Sequence, residues 1–260
     1  MLIDSHCHLN MLDLSDFDQN LDHVIAAAHA QDVARMLTVC VTLKDIPKIE
    51  AIADRYSEVY MSVGVHPDET GSPTVDAAEL VRLAQHPSCI AIGETGLDYY
   101  RTESEAEKME QQERFRQHIR AALALKKPLI IHTRQASADT IRIMQEERAQ
   151  EIGGVMHCFT ENWEVAQQAL DLNFYISFSG IVTFKSAIDL QATAKKVPLD
   201  RMLIETDAPY LAPVPFRGKQ NHPALVKHVA LFLAGLRERD YTDLAAATTA
   251  NFFDCFKVSE

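Results

Sequence analysis

Positive charge is scarce in this 260-residue chain: 25 Lys and Arg stand against 37 Asp and Glu, a net charge of −12. Repulsion then opposes indiscriminate binding to nucleic acid or an anionic membrane, although metal ions can reverse the charge at one site. Cysteine is also sparse. Cys7, Cys40, Cys89, Cys158 and Cys255 are odd in number and form no Cys-x-x-Cys. They read as reduced, mostly buried thiols rather than a disulfide framework. No apolar stretch nears the roughly 20 residues of a membrane span. No basic region leads into an apolar run at the N-terminus, so no signal peptide is visible. The expectation is a soluble, cytoplasmic protein with no membrane contact and no obligate protein partner. No Gly-x-Gly-x-x-Gly follows the first apolar run, which counts against a dinucleotide-binding sheet. No low-complexity or Pro/Gly/Ser-rich linker divides the chain, so one domain over residues 1–260 is expected.

What the chain does have is 47% hydrophobic residues in a repeating arrangement. Short apolar runs, rich in Val and Ile, recur eight times: MLIDSHCHL at the start, RMLTVCV (Arg35 to Val41), VYMSVGVHP (Val59 to Pro67), CIAIGETGLDY (Cys89 to Tyr99), PLIIHTR (Pro128 to Arg134), GVMHCF (Gly154 to Phe159), FYISFSG (Phe174 to Gly180) and MLIETDAP (Met202 to Pro209). Such runs suit strands of a parallel sheet buried on both faces. Amphipathic segments separate them. In the clearest, Glu107 to Lys127, an apolar stripe of Met109, Phe115, Ile119, Ala122 and Leu123 falls at helical spacing. Eight right-handed βαβ units in about 250 residues predict an α/β fold, a closed (β/α)8 TIM barrel. An open doubly wound sheet is the alternative. The polar stretch Ala212 to Pro223 reads as a loop over the barrel mouth.

The polar residues of the strands gather at their C-terminal ends, where sites of this fold lie. His6 and His8, two apart in LIDSHCHLN, share a strand face and make a pincer for a metal. His66 ends the third strand, Glu94 the fourth, His132 the fifth, His157 the sixth, and Glu205 and Asp207 the eighth. Strand alternation supports the grouping, with Ile90, Ile92 and Glu94 on one face, and likewise Ile130, His132 and Arg134. A single histidine at a strand end is more often a hydrogen-bonded core residue than a ligand. Five histidines and three carboxylates on one rim would cost several kcal/mol each if buried unpaired, and a metal centre satisfies them together. Imidazole with carboxylate suits Zn, Mn, Fe or Ni better than Ca. Six strong candidates exceed the four ligands of one zinc, and two ions sharing Glu94 would use them all.

LIDSHCHLN, PLIIHTRQASAD and MLIETDAPYLAP, supported by GVHP, GETGLDYY and HCFT, resemble the TatD-type metal-dependent hydrolases, a branch of the amidohydrolase-like barrels. The resemblance spans nearly the whole chain and implies deoxyribonuclease activity of the 3′–5′ exonuclease type, with two or three divalent ions, Zn, Mn or Mg, at the mouth. It implies that His6, His8, Glu94 and Asp207 hold one ion and that Glu94, His132 and His157 hold the other. Glu205 resembles the carboxylate linked in some members to a further metal. His66 would stand beside the substrate phosphate or behind the ligands. Glu94 occupies the place of the carboxylated lysine found in many amidohydrolases.

The chemistry follows from such a centre. Water activated between two ions attacks an ester, with Asp207 placed to take its proton and Glu94 shared between the ions. Arg134 could fork onto a phosphate or orient a metal-bound carboxylate. Arg217 and Lys219 could meet a nucleic-acid backbone or simply be solvated. Tyr99, Tyr100 and Phe216 could stack on bases or pack. The reading is a nuclease on single-stranded DNA ends. The alternatives are hydrolysis of a carboxylic ester, such as that of D-aminoacyl-tRNA, and a non-catalytic metal-binding protein. A basic groove would favour nucleic acid, and a closed apolar pocket a small ester.

Overall fold

In a computed structural model that describes residues 1–69, 75–102 and 104–259, each of the eight apolar runs overlaps a strand, β2 starting two residues ahead of its run. These are β1 (Leu2–Cys7), β2 (Val33–Thr38), β3 (Val59–Val63), β4 (Cys89–Asp98), β5 (Leu129–Arg134), β6 (Gly154–Met156), β7 (Phe174–Phe178) and β8 (Met202–Ile204). They pair in parallel in the order β1 to β8. A parallel bridge joins Cys7 to Ala208, with His8 N donating to Ala208 O at 2.8 Å and Asp207 N to His6 O at 2.9 Å. The sheet therefore closes on itself, and the open alternative is excluded. Helices α1 (Leu21–His29), α2 (Ile46–Arg55), α3 (Ala77–Leu83), α4 (Glu105–Leu125), α5 (Ser137–Glu146), α6 (Trp163–Asp171), α7 (Ile188–Lys196) and α8 (Val226–Leu236) surround it, and α9 (Tyr241–Phe256) follows. Among the described residues no helix is long and apolar enough to cross a membrane.

Two buried clusters define the layers. The larger lies between strands and helices. The smaller takes at least one residue from each strand, Ile3, Leu37, Tyr60, Ile90 with Ala91, Ile130, Val155, Tyr175 and Leu203, together with Phe252, Phe253 and Phe256 of α9. A set drawn from all eight strands is the barrel interior, and α9 floors it at the N-terminal end. The opposite end stays free for polar groups. β6 and β8 are only three residues long, so His157, Glu205 and Asp207 leave from loops just past the ladder.

The stripe read on α4 needs correction. Met109 is 68% exposed, whereas Phe115, Ile119 and Ala122 are buried. Met109 sits about 120° around the helix from Phe115. The buried face instead carries polar Gln111, Arg114 and His118. Each is satisfied by a loop at the mouth. Gln111 bonds the Asp98 backbone, Arg114 Nη1 donates to the carbonyls of His66 and Glu69, and His118 Nε2 accepts from Val65 N at 3.0 Å. The helix is thus a scaffold for the loops after β3 and β4.

Candidate metal centre

Bulges rather than plain alternation bring the ligand-type residues together. On β1 the partners jump from Asp4 opposite Met36 to Cys7 opposite Thr38, so three steps on one strand match two on the other. The extra residue leaves His6 and His8 on one face, with their Nε2 atoms 3.3 Å apart. Asp4 stitches this bulge to β8, accepting from Thr206 N at 2.8 Å and Thr206 Oγ at 2.5 Å. Burial pushes its carboxyl up to about 8.

On β4 the expected sharing of one face by Ile90, Ile92 and Glu94 is overturned. Register shifts fall between Met61 and Ser62 of β3 and between Ile92 and Thr95 of β4. Ile90 lies inside the barrel and Ile92 outside it. Glu94 reaches the mouth because the second shift reverses the parity. Gly93 lies inside that shift: its φ is +152°, and a Cβ there would lie 2.6 Å from Ile130 O.

Glu94 is the hub. Its Oε2 lies 3.4 Å from His6 Nε2 and 3.9 Å from His8 Nε2. Its Oε1 lies 2.7 Å from His157 Nε2, 3.2 Å from His132 Nδ1 and 3.4 Å from His66 Nε2. Asp207 Oδ1 completes the first side, 3.4 Å from His8 Nε2 and 3.7 Å from His6 Nε2. One carboxylate thus faces two separate sets of nitrogen donors.

The outer ring nitrogens fix which atoms point inward. His8 Nδ1 donates to Val39 O at 2.9 Å, His132 Nε2 to Asp98 Oδ2 at 3.0 Å, and His157 Nδ1 to Glu205 Oε1 at 3.3 Å. Each leaves its other nitrogen as a lone-pair donor toward Glu94, the arrangement of metal-ligating histidines. His66 is different. Its Nδ1 accepts from Asp68 N at 3.1 Å, which puts the proton on Nε2, facing Glu94. It is built to donate a hydrogen bond. Glu205 is fully occupied by donors: Cys158 N at 2.6 Å and the His157 ring on Oε1, Ser177 Oγ at 2.5 Å on Oε2. It orients His157.

The electrostatics fit a bound cation. Burial would raise Glu94, but His157, His66 and His132 outweigh it and hold the carboxyl well below its ordinary range. Burial would lower His157, yet Glu94 and Glu205 raise it far above the ordinary imidazole value. Burial, with His157 adding to it, lowers His6. Two carboxylates, Glu94 and Glu205, thus draw positive charge onto a buried histidine. Among the described residues His157 Nε2 nevertheless makes no hydrogen bond, although it sits 2.7 Å from Glu94 Oε1, and buried His6 Nδ1 has no partner. A divalent ion held by His157 Nε2 and Glu94 would satisfy both the charge and that lone pair. Among the described residues three groups have donor atoms close enough to share an ion: His6, His8 and Asp207; His66, Glu94 and His132; His6, His157 and Glu205.

A cavity of about 670 Å3 opens above the hub, lined in part by Met11, His66, Arg134, Cys158, Tyr210 and Leu211. Arg134 reaches it, stacked 3.7 Å over the Tyr100 ring. The other sequence candidates lie elsewhere. Tyr99 packs between helices, its hydroxyl donating to Asp139 at 2.9 Å. Phe216 packs on His228, and Arg217 lies 4.1 Å over Phe184. Among the described residues lining the cavity are none of these three, nor Lys219, nor Tyr100, which meets it only through Arg134. The sequence reading missed Asp98, Asp4 and Tyr210. Asp98 had a signal, standing four residues after Glu94 and two before Tyr100 in the same run; Asp4 had none beyond its place ahead of His6.

Comparison with known proteins agrees with this arrangement. Residues 3–257 match the family described as TatD related DNase. The uncharacterized metal-dependent hydrolase YcfH of Escherichia coli K12 is 48% identical over 257 residues, covering 99% of this chain and 96% of that protein. A Citrobacter koseri protein named 3′-5′ ssDNA/RNA exonuclease TatD is 33% identical over 253 residues, covering 94% of this chain and 96% of its own. The crystal structure of the TatD homologue YJJV from Escherichia coli superposes with a TM-score of 0.91 at 24% identity, covering 99% of this chain and 98% of that one, which speaks for the fold. With the hub of histidines and carboxylates at the mouth of an eight-stranded barrel, these matches place the chain in the TatD family of metal-dependent hydrolases.

Proposed function

We propose that the protein is a divalent-metal-dependent exonuclease that removes nucleotides from single-stranded DNA ends in the 3′ to 5′ direction. The observation that carries this reading is Glu94, whose two oxygens face two different donor sets. That is the arrangement a two-ion phosphodiesterase needs. The family description and the name of the Citrobacter relative support nucleic acid as the substrate. His6, His8, Glu94 and Asp207 would hold one ion, and Glu94, His132 and His157 the other, with Zn, Mn or Mg as the metal. When bound, such ions supply water of lowered pKa and polarise a phosphoryl oxygen.

The chain's own residues do the rest. Asp207 Oδ1, at the edge of the cavity, accepts the water's proton and returns it to the leaving oxygen. His66 donates through Nε2, and Arg134 offers a fork of N–H groups to a neighbouring phosphate. Asp98 and Glu205 hold His132 and His157 in orientation. The machinery belongs to one domain over residues 1–260. All five cysteines are free, which suits the cytoplasm.

The test uses 3′- and 5′-labelled single-stranded oligonucleotides with added Mg²⁺, Mn²⁺ or Zn²⁺. A His132→Ala, His157→Ala protein is the control. Stepwise shortening from the 3′ end by the native protein alone supports the proposal. No shortening under any metal overturns it and turns attention to carboxylic esters such as D-aminoacyl-tRNA.

A further inference from the structure

The cavity lacks what a backbone-tracking nuclease groove has. Among the described residues its lining includes a single Lys or Arg, Arg134, against Asp68 and Glu69. Asp68 lies 3.6 Å from Arg101, which leaves that cation partly neutralised. A strand lying here would find few phosphate partners beyond the metal centre.

Aromatic surface is available instead. Tyr210 is 51% exposed and lines the cavity. Its ring stands 6.4 Å from that of His8. Its backbone is fixed at both ends: Tyr210 N donates to Asp207 O at 2.9 Å, and Asn221 Nδ2 donates to Tyr210 O at 2.6 Å. Tyr100 is 52% exposed and carries the Arg134 guanidinium on its ring. Tyr100 N donates to Asp98 Oδ1 at 2.9 Å, and the same carboxylate orients His132. Both rings are therefore tied to residues that touch the centre.

Topology sets them across from each other. Tyr210 follows β8, beside β1; Tyr100 follows β4 and Arg134 ends β5. In a ring of eight strands, β4 and β8 are opposite, as are β1 and β5. Glu94 and Asp207 lie between. Tyr210 presents an exposed ring at the cavity, Tyr100 backs the Arg134 guanidinium that lines it, and every nucleobase offers a face to such planar groups.

We propose that the protein holds its substrate by the bases: Tyr210 stacks on one base beside the scissile phosphate, and the Arg134–Tyr100 pair stacks on another. This deepens the nuclease reading and rests on it. A grip on two bases selects unpaired ends, because in a duplex only the outer face of the terminal pair is free, and it tolerates any sequence.

The test compares an ordinary single-stranded oligonucleotide with one whose terminal positions lack bases, using Mn²⁺-loaded protein of checked fold and metal content. Native protein should show KM at least roughly tenfold higher on the abasic end. Tyr210→Ala and Tyr100→Ala should each raise KM for the ordinary end by about fivefold or more, yet change the abasic end little. Tyr210→Phe should restore the native KM, since stacking needs the ring and not the hydroxyl. A fourfold rise in salt should raise KM by less than about tenfold, as expected for one or two phosphate contacts. Equal KM on both substrates, alanine variants that behave as native, a Phe variant as poor as Ala, or a salt effect of a hundredfold overturns the clamp. Cleavage of neither oligonucleotide by the native protein is a separate result, and it overturns the nuclease reading and the clamp together.

Discussion

His118 lies far from the reaction yet should govern the acid stability of the mouth. It is fully buried on α4, accepting from Val65 N through Nε2 at 3.0 Å and donating through Nδ1 to Arg114 O at 2.8 Å. Burial pushes its pKa down from 6.5 to about 4, with Arg114 adding to the effect and its carbonyl partly opposing it. The folded ring therefore stays neutral while the unfolded ring takes a proton below pH 6.5. For a base held below its ordinary value, the stability is fully present above pH 6.5 and is lost as pH falls toward 4. The interval between 6.5 and about 4 corresponds to about 3 kcal/mol, of which about 2 kcal/mol is already gone at pH 5. Many groups titrate over this range, so the measurement is a difference. Urea unfolding of native protein and His118→Gln, both metal-free, is compared at pH 7 and pH 5. At pH 7 the variant should be less stable by about 1–3 kcal/mol, the cost of leaving a buried partner unsatisfied. At pH 5 that gap should shrink by about 2 kcal/mol. A gap that stays constant with pH would refute the reasoning, because His118 would then not be held neutral by its surroundings.

Other changes follow from the same structure. Asp98→Asn keeps the shape of the residue but weakens the bond that orients His132, so metal affinity or activity should drop roughly 10- to 100-fold with the far-UV spectrum unchanged; titration with Mn²⁺ checks it. Gly96→Ala places a methyl 2.0 Å from His132 O at a φ of +134° and should destabilise by more than about 1 kcal/mol, read as a lowered urea midpoint. Phe252→Ala opens the floor of the barrel, where the ring is fully buried, and should cost about 3–5 kcal/mol while leaving metal stoichiometry intact in the folded fraction.

The barrel was legible because burial on both faces forces each parallel strand to be a continuous apolar run, and eight of them stand out between amphipathic segments. The six ligand-type residues were legible for a related reason. Polar groups ending such runs have no cheap explanation, and all those ends meet at one mouth. Local geometry was not. The alternation of Ile90, Ile92 and Glu94 fails because two register shifts interrupt β4, and a bulge leaves little trace in sequence beyond a glycine such as Gly93. The stripe on α4 misled because its buried face carries Gln111, Arg114 and His118, whose partners are loop backbone atoms distant in sequence. Arg217 and Phe216 looked available only because their partners, Phe184 and His228, come from other segments. Asp98 was overlooked for the same reason, since its role depends on His132, 34 residues away.

The most direct test is the metal content of the protein after loading with Mn²⁺ or Zn²⁺ and removal of free ions, measured by plasma mass spectrometry beside Glu94→Gln. A hub shared by two donor sets predicts two ions per native chain and loss of at least one in the variant. One ion or none in the native chain, or two retained by Glu94→Gln, would contradict the account.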